Sequence, residues 1–226
     1  MNQDLIIKAN NLTKRYGSLE VIKGISLEVR KGEVISVVGP SGAGKSTLLN
    51  LIGCLDSFDQ GELFLRGEKI SNSSVEDLSS FRNKHLGFIF QQHNLLAEFT
   101  ALENIMMPLF IRRYKKREAR KKAIQLLEEF NLTNRINHKP AELSGGECQR
   151  IAVARAMIGQ PEIILADEPT GSLDSQNSNS LIDALLRLGQ AKKTTIIIVT
   201  HDQEIAVKTE KIISLLDGEI EKYKVN

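Results

Sequence analysis

The run GPSGAGKST, residues 39–47, limits what this chain can fold into more than any other stretch. It satisfies G-x-x-x-x-G-K-[ST], follows the apolar pattern EVISVV and opens the helical pattern KSTLLNLIGCL. Strand, glycine-rich loop and helix in that order form a cradle. Backbone N–H groups curl around a phosphate, and the helix start adds its positive end. Gly39, Pro40, Ser41, Gly42, Ala43 and Gly44 are read as the loop, and Lys45, Ser46 and Thr47 as the helix start. Lys45 would reach the β- and γ-phosphates of a nucleotide, and the Ser46 hydroxyl would ligate Mg²⁺. A glycine turn with an exposed lysine is the plainer alternative, but it does not account for the strand and helix on either side.

The surrounding pattern agrees with an α/β core. LIIKANNL, ISLEVR and EVISVVG read as strands separated by glycine turns, and GELFLRG as a further strand. LGFIFQ, residues 86–91, reads as a buried strand that ends at Gln91. Residues 101–160 read as mostly helical, with Ala119, Ala123, Leu126, Leu127 and Phe130 at helical spacing. EIILADEP and TTIIIVTHD are continuous apolar strands, as a parallel sheet covered on both faces requires, with a crossover helix through DALLRLGQA. IISLLDGEIEKY reads as a hairpin turning at Asp217-Gly218. The expectation is a parallel-sheet core, an N-terminal antiparallel patch and a helical insert.

Two strand ends complete the phosphate site. IILADEP places Asp167 and Glu168 at the carboxyl end of a buried strand, where α/β sheets bind ligands. Asp167 can hold the magnesium through water, and Glu168 could polarise a water attacking the γ-phosphate. His201 follows TTIIIVT at the same rim, as a donor to the γ-phosphate or a positioner of that water. Gln91 could offer its amide oxygen to Mg²⁺ or to water, with Gln92 as its rival. His85, His93 and His138 read as surface residues.

A second anion site is implied at LSGGECQR, residues 143–150. Ser144 and Glu147 have the spacing of a capping box. Yet Gly145 and Gly146 fill the first turn, where each costs roughly 1 kcal/mol against alanine. Glycines there let an anion approach the free N–H groups of a helix that extends to about Gly159. No second nucleotide motif accompanies this helix. One economical answer is that it grips the γ-phosphate held by another copy of the chain, across a two-fold axis.

Taken in order, the phosphate loop, FQQ, LSGGE, LADEP, SLD and VTHD resemble the nucleotide-binding subunit of an ABC transporter over essentially the whole length. The resemblance implies the ABC ATPase fold: one nucleotide-binding domain over residues 1–226 with a helical subdomain at about 92–160. It implies ATP and Mg²⁺ as ligands, and a homodimer in which Ser144, Gly145, Gly146 and Glu147 serve the opposite subunit's ATP. It further implies that Tyr16, in KRYG, stacks on adenine and that Asp174, in SLD, communicates across the dimer. Gln91 would sense both the metal and an integral membrane permease. LGFIFQQHNLLAEFTALENIMMPL and ILADEPTGSLD resemble most the small bacterial branch that powers lipoprotein release, with export and cell-division ATPases as alternatives. Such subunits sit peripherally on the cytoplasmic face of the inner membrane. Cys148, where glutamine or arginine is common, and Ala97, where proline is frequent, depart from the pattern without removing a phosphate ligand.

Composition sets limits on partners. A formal charge of +2 is too small to argue for nucleic acid. The cysteines, Cys54 and Cys148, have no metal spacing and read as reduced thiols. MNQDLIIKAN lacks the pattern of a signal peptide. The basic run IRRYKKREARKK, residues 111–122, reads as a solvated helix face in preference to a lipid contact.

Overall fold

Alternating burial along Leu5–Tyr16 and Leu19–Arg30 makes these runs a half-buried antiparallel pair, β1 and β2. The computed structural model describes residues 5–70, 74–171 and 173–226. The fully buried run Val34–Val38 is β3, and the phosphate loop after it leads into α1 (Lys45–Ile52). Then come β4 (Gln60–Leu65), the short β5 (Glu68–Lys69), α2 (Val75–His85) and β6 (Leu86–Ile89). Three helices follow, α3 (Ala101–Ile111), α4 (Lys116–Glu129) and α5 (Gly145–Met157). The remainder alternates as β7 (Ile163–Asp167), α6 (Ser175–Lys192), β8 (Thr195–Val199) and α7 (Gln203–Ala206), closing with the hairpin β9 (Lys211–Leu216) and β10 (Glu219–Val225).

The strands form two sheets. One is antiparallel in the order β2-β1-β4-β5; the other runs β10-β9-β3-β8-β7-β6 and is parallel except at β10. Neighbouring residues of the central strands feed opposite cores, as the two-residue pleat period demands. Ile164, Ala166, Ile196 and Ile198 pack with Ile105, Leu127, Ile151 and Leu185 of the helical layers. Ile163, Leu165, Ile197 and Val199 pack with α1 and the antiparallel sheet through Leu48, Ile52, Ile7 and Leu63. This sandwiching aligns the carboxyl ends of β3, β7 and β8 along one rim, which is where the loop, the two acids and His201 lie.

Several expectations need correction. Strand β6 stops at Ile89, so Gln91 lies in the bend beyond it. Helix α5 ends at Met157 with Ile158 as its cap, and the left-handed residue there is Gln160 at φ 51°, not Gly159. Gly159 has another duty: a Cβ there would collide with the Arg112 guanidinium. Arg112 itself is not part of a solvated face. It is half-buried, and its Nε donates to Asn83 O at 3.1 Å and Asn83 Oδ1 at 3.0 Å. Its Nη1 donates to Gly159 O at 2.8 Å and its Nη2 to Lys84 O at 3.3 Å. His85 is buried, with Nδ1 3.0 Å from Glu162 Oε1 and Nε2 3.2 Å from Arg66 Nη1. His93 and His138 are half-buried.

Candidate functional site

Helix α1 begins without the usual protection. Its N-cap is Gly44, which supplies no side-chain bond, and its first turn holds no acid. The amides that open the helix are therefore free donors at its positive end. Gly44 is demanded by the backbone: φ is 95°, and an added Cβ would lie 2.9 Å from Val21 O. Lys45 bends back over the loop, donating from Nζ to Gly39 O and Pro40 O, each at 2.9 Å. A cation and several unpaired N–H groups are thus concentrated at one point.

That point is the floor of a cavity of about 590 Å³. Ser41, Gly42, Gly44, Lys45, Ser46 and Thr47 line one side; Glu168, His201 and Gln91 line the other. Tyr16, Leu19 and Val21 form its apolar end. Gln91 lines the cavity and its rival Gln92 does not. Asp167 lies just beneath, accepting from Ser46 Oγ at 3.0 Å through Oδ1. Burial pushes the Asp167 carboxyl up, and neighbouring Glu168 adds to this, while the Ser46 hydroxyl and the Lys45 charge oppose it.

Glu168 leaves the strand abruptly. Its φ is 44°, a left-handed conformation uncommon outside glycine, and its amide donates to Val199 O at 2.9 Å. This kink separates the directions of two adjacent acids. The Glu168 carboxylate turns to His201, with 2.8 Å between Oε1 and Nδ1. A carboxylate can only accept, so Nδ1 carries the proton. Glu168 is 14% exposed and His201 is 74% exposed, so an acceptor inside the cavity is held by a partner at its mouth.

The other predicted residues lie elsewhere. Ser144 caps α5, and its Oγ accepts from the Glu147 amide at 3.2 Å. Glu147 returns the bond to Ser144 N at 2.8 Å and also accepts from Arg135 Nε at 2.7 Å. These contacts, the Ser144 amide first and then Arg135, hold the Glu147 carboxyl down to about 2. Within its own chain Glu147 secures the helix start that carries Ser144, Gly145 and Gly146. Ser144 and Gly145 are exposed, and a Cβ on Gly145 would meet nothing within 4 Å. None of the four lines the phosphate cavity of its own chain. Asp174 caps α6, accepting from Asn177 N at 2.9 Å, also away from that cavity. Cys148 is buried with Sγ 3.7 Å from Pro140 O.

The Glu147 arrangement has a measurable sign. The carboxyl ionises at 4.5 when unperturbed and at about 2 when folded, so its stabilising contribution is complete above 4.5 and disappears as pH falls toward 2. Glu147→Gln should lose less stability than the unsubstituted chain between those limits. Urea midpoints across that range check this, and equal acid slopes would contradict it.

Sequence reasoning missed Leu19 and Val21, the apolar wall beside Tyr16. Leu19 is 66% exposed in the fold, and no sequence motif marks it or Val21.

The model of the ABC transporter family matches residues 22–171. The lipoprotein-releasing system ATP-binding protein LolD of Bacteroides thetaiotaomicron is 50% identical over 217 residues, covering 96% of this chain and 100% of that protein. LolD of Bacteroides fragilis is 52% identical over 215 residues, covering 95% and 100%. Among solved structures, a dimeric ATP-binding cassette in a post-hydrolysis state, bound to ADP and Pi, superposes with a TM-score of 0.91 at 41% identity, covering 97% of this chain and 98% of that one.

Proposed function

The chain belongs to the ABC transporter family, and from that premise we propose that it is the ATP-hydrolysing subunit of a lipoprotein-releasing transporter. The observation that carries the motor reading is the convergence of Lys45, Ser46, Glu168 and His201 on one cavity whose floor is an uncapped helix. The choice of cargo is supported by the two LolD relatives, each matched over its full length.

Each residue has a defined task. The amides opening α1 and the Lys45 ammonium bind the triphosphate, and Tyr16 stacks on adenine. Ser46, Asp167 and Gln91 offer oxygens, the donor class magnesium prefers. Among the described residues no group of three or more His, Cys, Asp or Glu side chains gathers to hold a metal. That suits an ion coordinated by few protein groups, water and phosphate oxygens. When bound, Mg²⁺ would neutralise charge on those oxygens. Glu168 removes the proton from the attacking water, and His201 fixes the direction of its carboxylate.

Ser144, Gly145 and Gly146 complete the site of a second copy in a homodimer. ATP then contacts both chains only when they close, so binding favours closure and phosphate departure releases it. Asp174 would carry signals across that contact. We read the whole chain as one nucleotide-binding domain with its helical subdomain at about 92–160. No helix among the described residues is long and apolar enough to cross a membrane. Membrane attachment would therefore run through permease subunits of the LolC/LolE type, placing the chain peripherally at the cytoplasmic face of the inner membrane. A groove of about 390 Å³, lined by Leu55, Phe88, Phe90 and Arg112, is their proposed seat. Its Phe90 directly precedes Gln91 of the nucleotide cavity, so a partner there can bias the catalytic side.

Reconstituted with permease subunits of the LolC/LolE type, in liposomes carrying an acylated lipoprotein, the complex should release lipoprotein with Mg-ATP and not with ADP. ATP consumption without release would rule out this cargo.

A further inference from the structure

The apolar end of the nucleotide cavity is supported by a charged cluster that no catalytic step uses. Lys14 is 6% exposed, and its Nζ donates to Asp56 Oδ1 at 2.8 Å and to Ser57 O at 2.5 Å. The other Asp56 oxygen, Oδ2, accepts from the Tyr16 hydroxyl at 2.5 Å. The Lys14 ammonium also lies 5.0 Å from the centre of the Tyr16 ring, over one face. The segment bearing Asp56 is itself clipped to the end of β1: Asp59 N donates to Thr13 O at 2.9 Å, and Arg15 N donates to Asp59 Oδ2 at 2.7 Å.

This is an expensive arrangement for a surface strand end. The lysine is withdrawn from water, which is tolerated only when it is paired and hydrogen-bonded, and its partner carboxylate is half-buried. Burial alone would push the Asp56 carboxyl up, but the bonds from Lys14, Tyr16 and the Ser57 amide prevail and hold it low. The beneficiary is the Tyr16 ring, which is 48% exposed. An aromatic ring left free at a surface loses rotamer entropy whenever a ligand stacks on it. Here the phenol is pinned by a charge-assisted bond, the stronger class of hydrogen bond. The cation on one face leaves a flat ligand only the other.

We propose that Asp56 and Lys14 are positioning residues that hold the Tyr16 ring in advance as the wall on which the nucleobase stacks. The inference rests on the reading that Tyr16 meets the base. It assigns the tyrosine hydroxyl, which stacking does not need, a task of its own: ordering the ring. The Tyr16 hydroxyl also faces the Thr47 side chain at the start of α1, so the test has to separate base recognition from phosphate recognition.

The test uses two ligands that the protein does not turn over as fuel, ADP and inorganic tripolyphosphate, with affinities measured by calorimetry or competition. Tyr16→Phe keeps the ring and the Lys14–Asp56 pair, and removes the phenol's bond to Asp56 together with its contact to Thr47. It should weaken ADP about 2- to 12-fold, the scale of one side chain immobilised on binding, and leave tripolyphosphate unchanged. Asp56→Ala, which also deprives Lys14 of its partner, should weaken ADP at least as much, and the double variant should be no weaker than the worse single one, because both remove the same Tyr16–Asp56 bond. Tyr16→Ala should weaken ADP further. Normal ADP affinity in Tyr16→Ala would overturn the stacking reading itself. Weakening in Tyr16→Ala alone, with Tyr16→Phe and Asp56→Ala like the unsubstituted chain, would overturn the positioning role and leave stacking intact. Equal loss of tripolyphosphate would also overturn it, by showing that the cluster holds up the phosphate loop instead.

Discussion

Glu168→Gln is expected to lower kcat for ATP about 10²–10⁴-fold while leaving ATP affinity near its original value. The amide keeps the size of the carboxylate and can still accept a bond from His201 Nδ1, which lies 2.8 Å from Oε1. It cannot take a proton from water. On the scale of about 1.4 kcal/mol per decade, the loss corresponds to roughly 3–6 kcal/mol of barrier. The groups proposed to hold the triphosphate, Lys45 and the uncapped start of α1, are untouched. A protein that binds but does not cleave should remain closed, so the variant should also accumulate as an ATP-bound dimer. Phosphate release measured beside ATP binding checks both parts. Turnover near that of the unsubstituted chain would remove Glu168 as the base.

Ser144→Arg attacks the other half of the proposed site. Ser144 stands exposed at the start of α5, next to a glycine whose missing side chain faces open space. An arginine there fills the approach to the helix end and also removes the cap, which costs about 1 kcal/mol of stability. ATP should still bind the isolated chain, because none of these residues lines its own cavity. Dimerisation driven by ATP should fail, and turnover should fall about 10²–10³-fold, the scale for losing a preorganised donor. Light scattering in the Glu168→Gln background separates the two effects. Undiminished ATP-driven pairing would show that α5 does not serve a second copy.

The phosphate loop was readable because its requirements are local: glycines, a lysine and a helix start within nine consecutive residues. The parallel strands were readable for the same reason, since burial on both faces leaves unbroken apolar runs such as Ile163–Ala166. The capping box at Ser144 and Glu147 is likewise a matter of spacing. What escaped depends on distance in the chain. Helix α2 has only three clearly apolar residues in eleven, Val75, Leu78 and Phe81, too few for a periodic signal. The burial of His85 is decided by Glu162 and Arg66, far from it in sequence. Gly159 looked like a helix stop because glycines commonly are, whereas its role is to admit a guanidinium from another helix. The support of Tyr16 by Asp56 spans forty residues and has no motif. In the candidate site, the polar side chains that line the cavity are legible from motifs, while the turn of Glu168 toward His201 follows from a backbone kink that no composition announces.

Arg112 fastens the end of α3 to the last residues of α2 and to the turn after α5. Since α3 and α5 belong to one helical layer and α2 leads directly into β6, this guanidinium is a rivet between that layer and the sheet. Any swing of the layer that carries Ser144 has to pivot at the rivet or shear it. The arc open to α5 would therefore be constrained at Arg112, which does not line the nucleotide cavity.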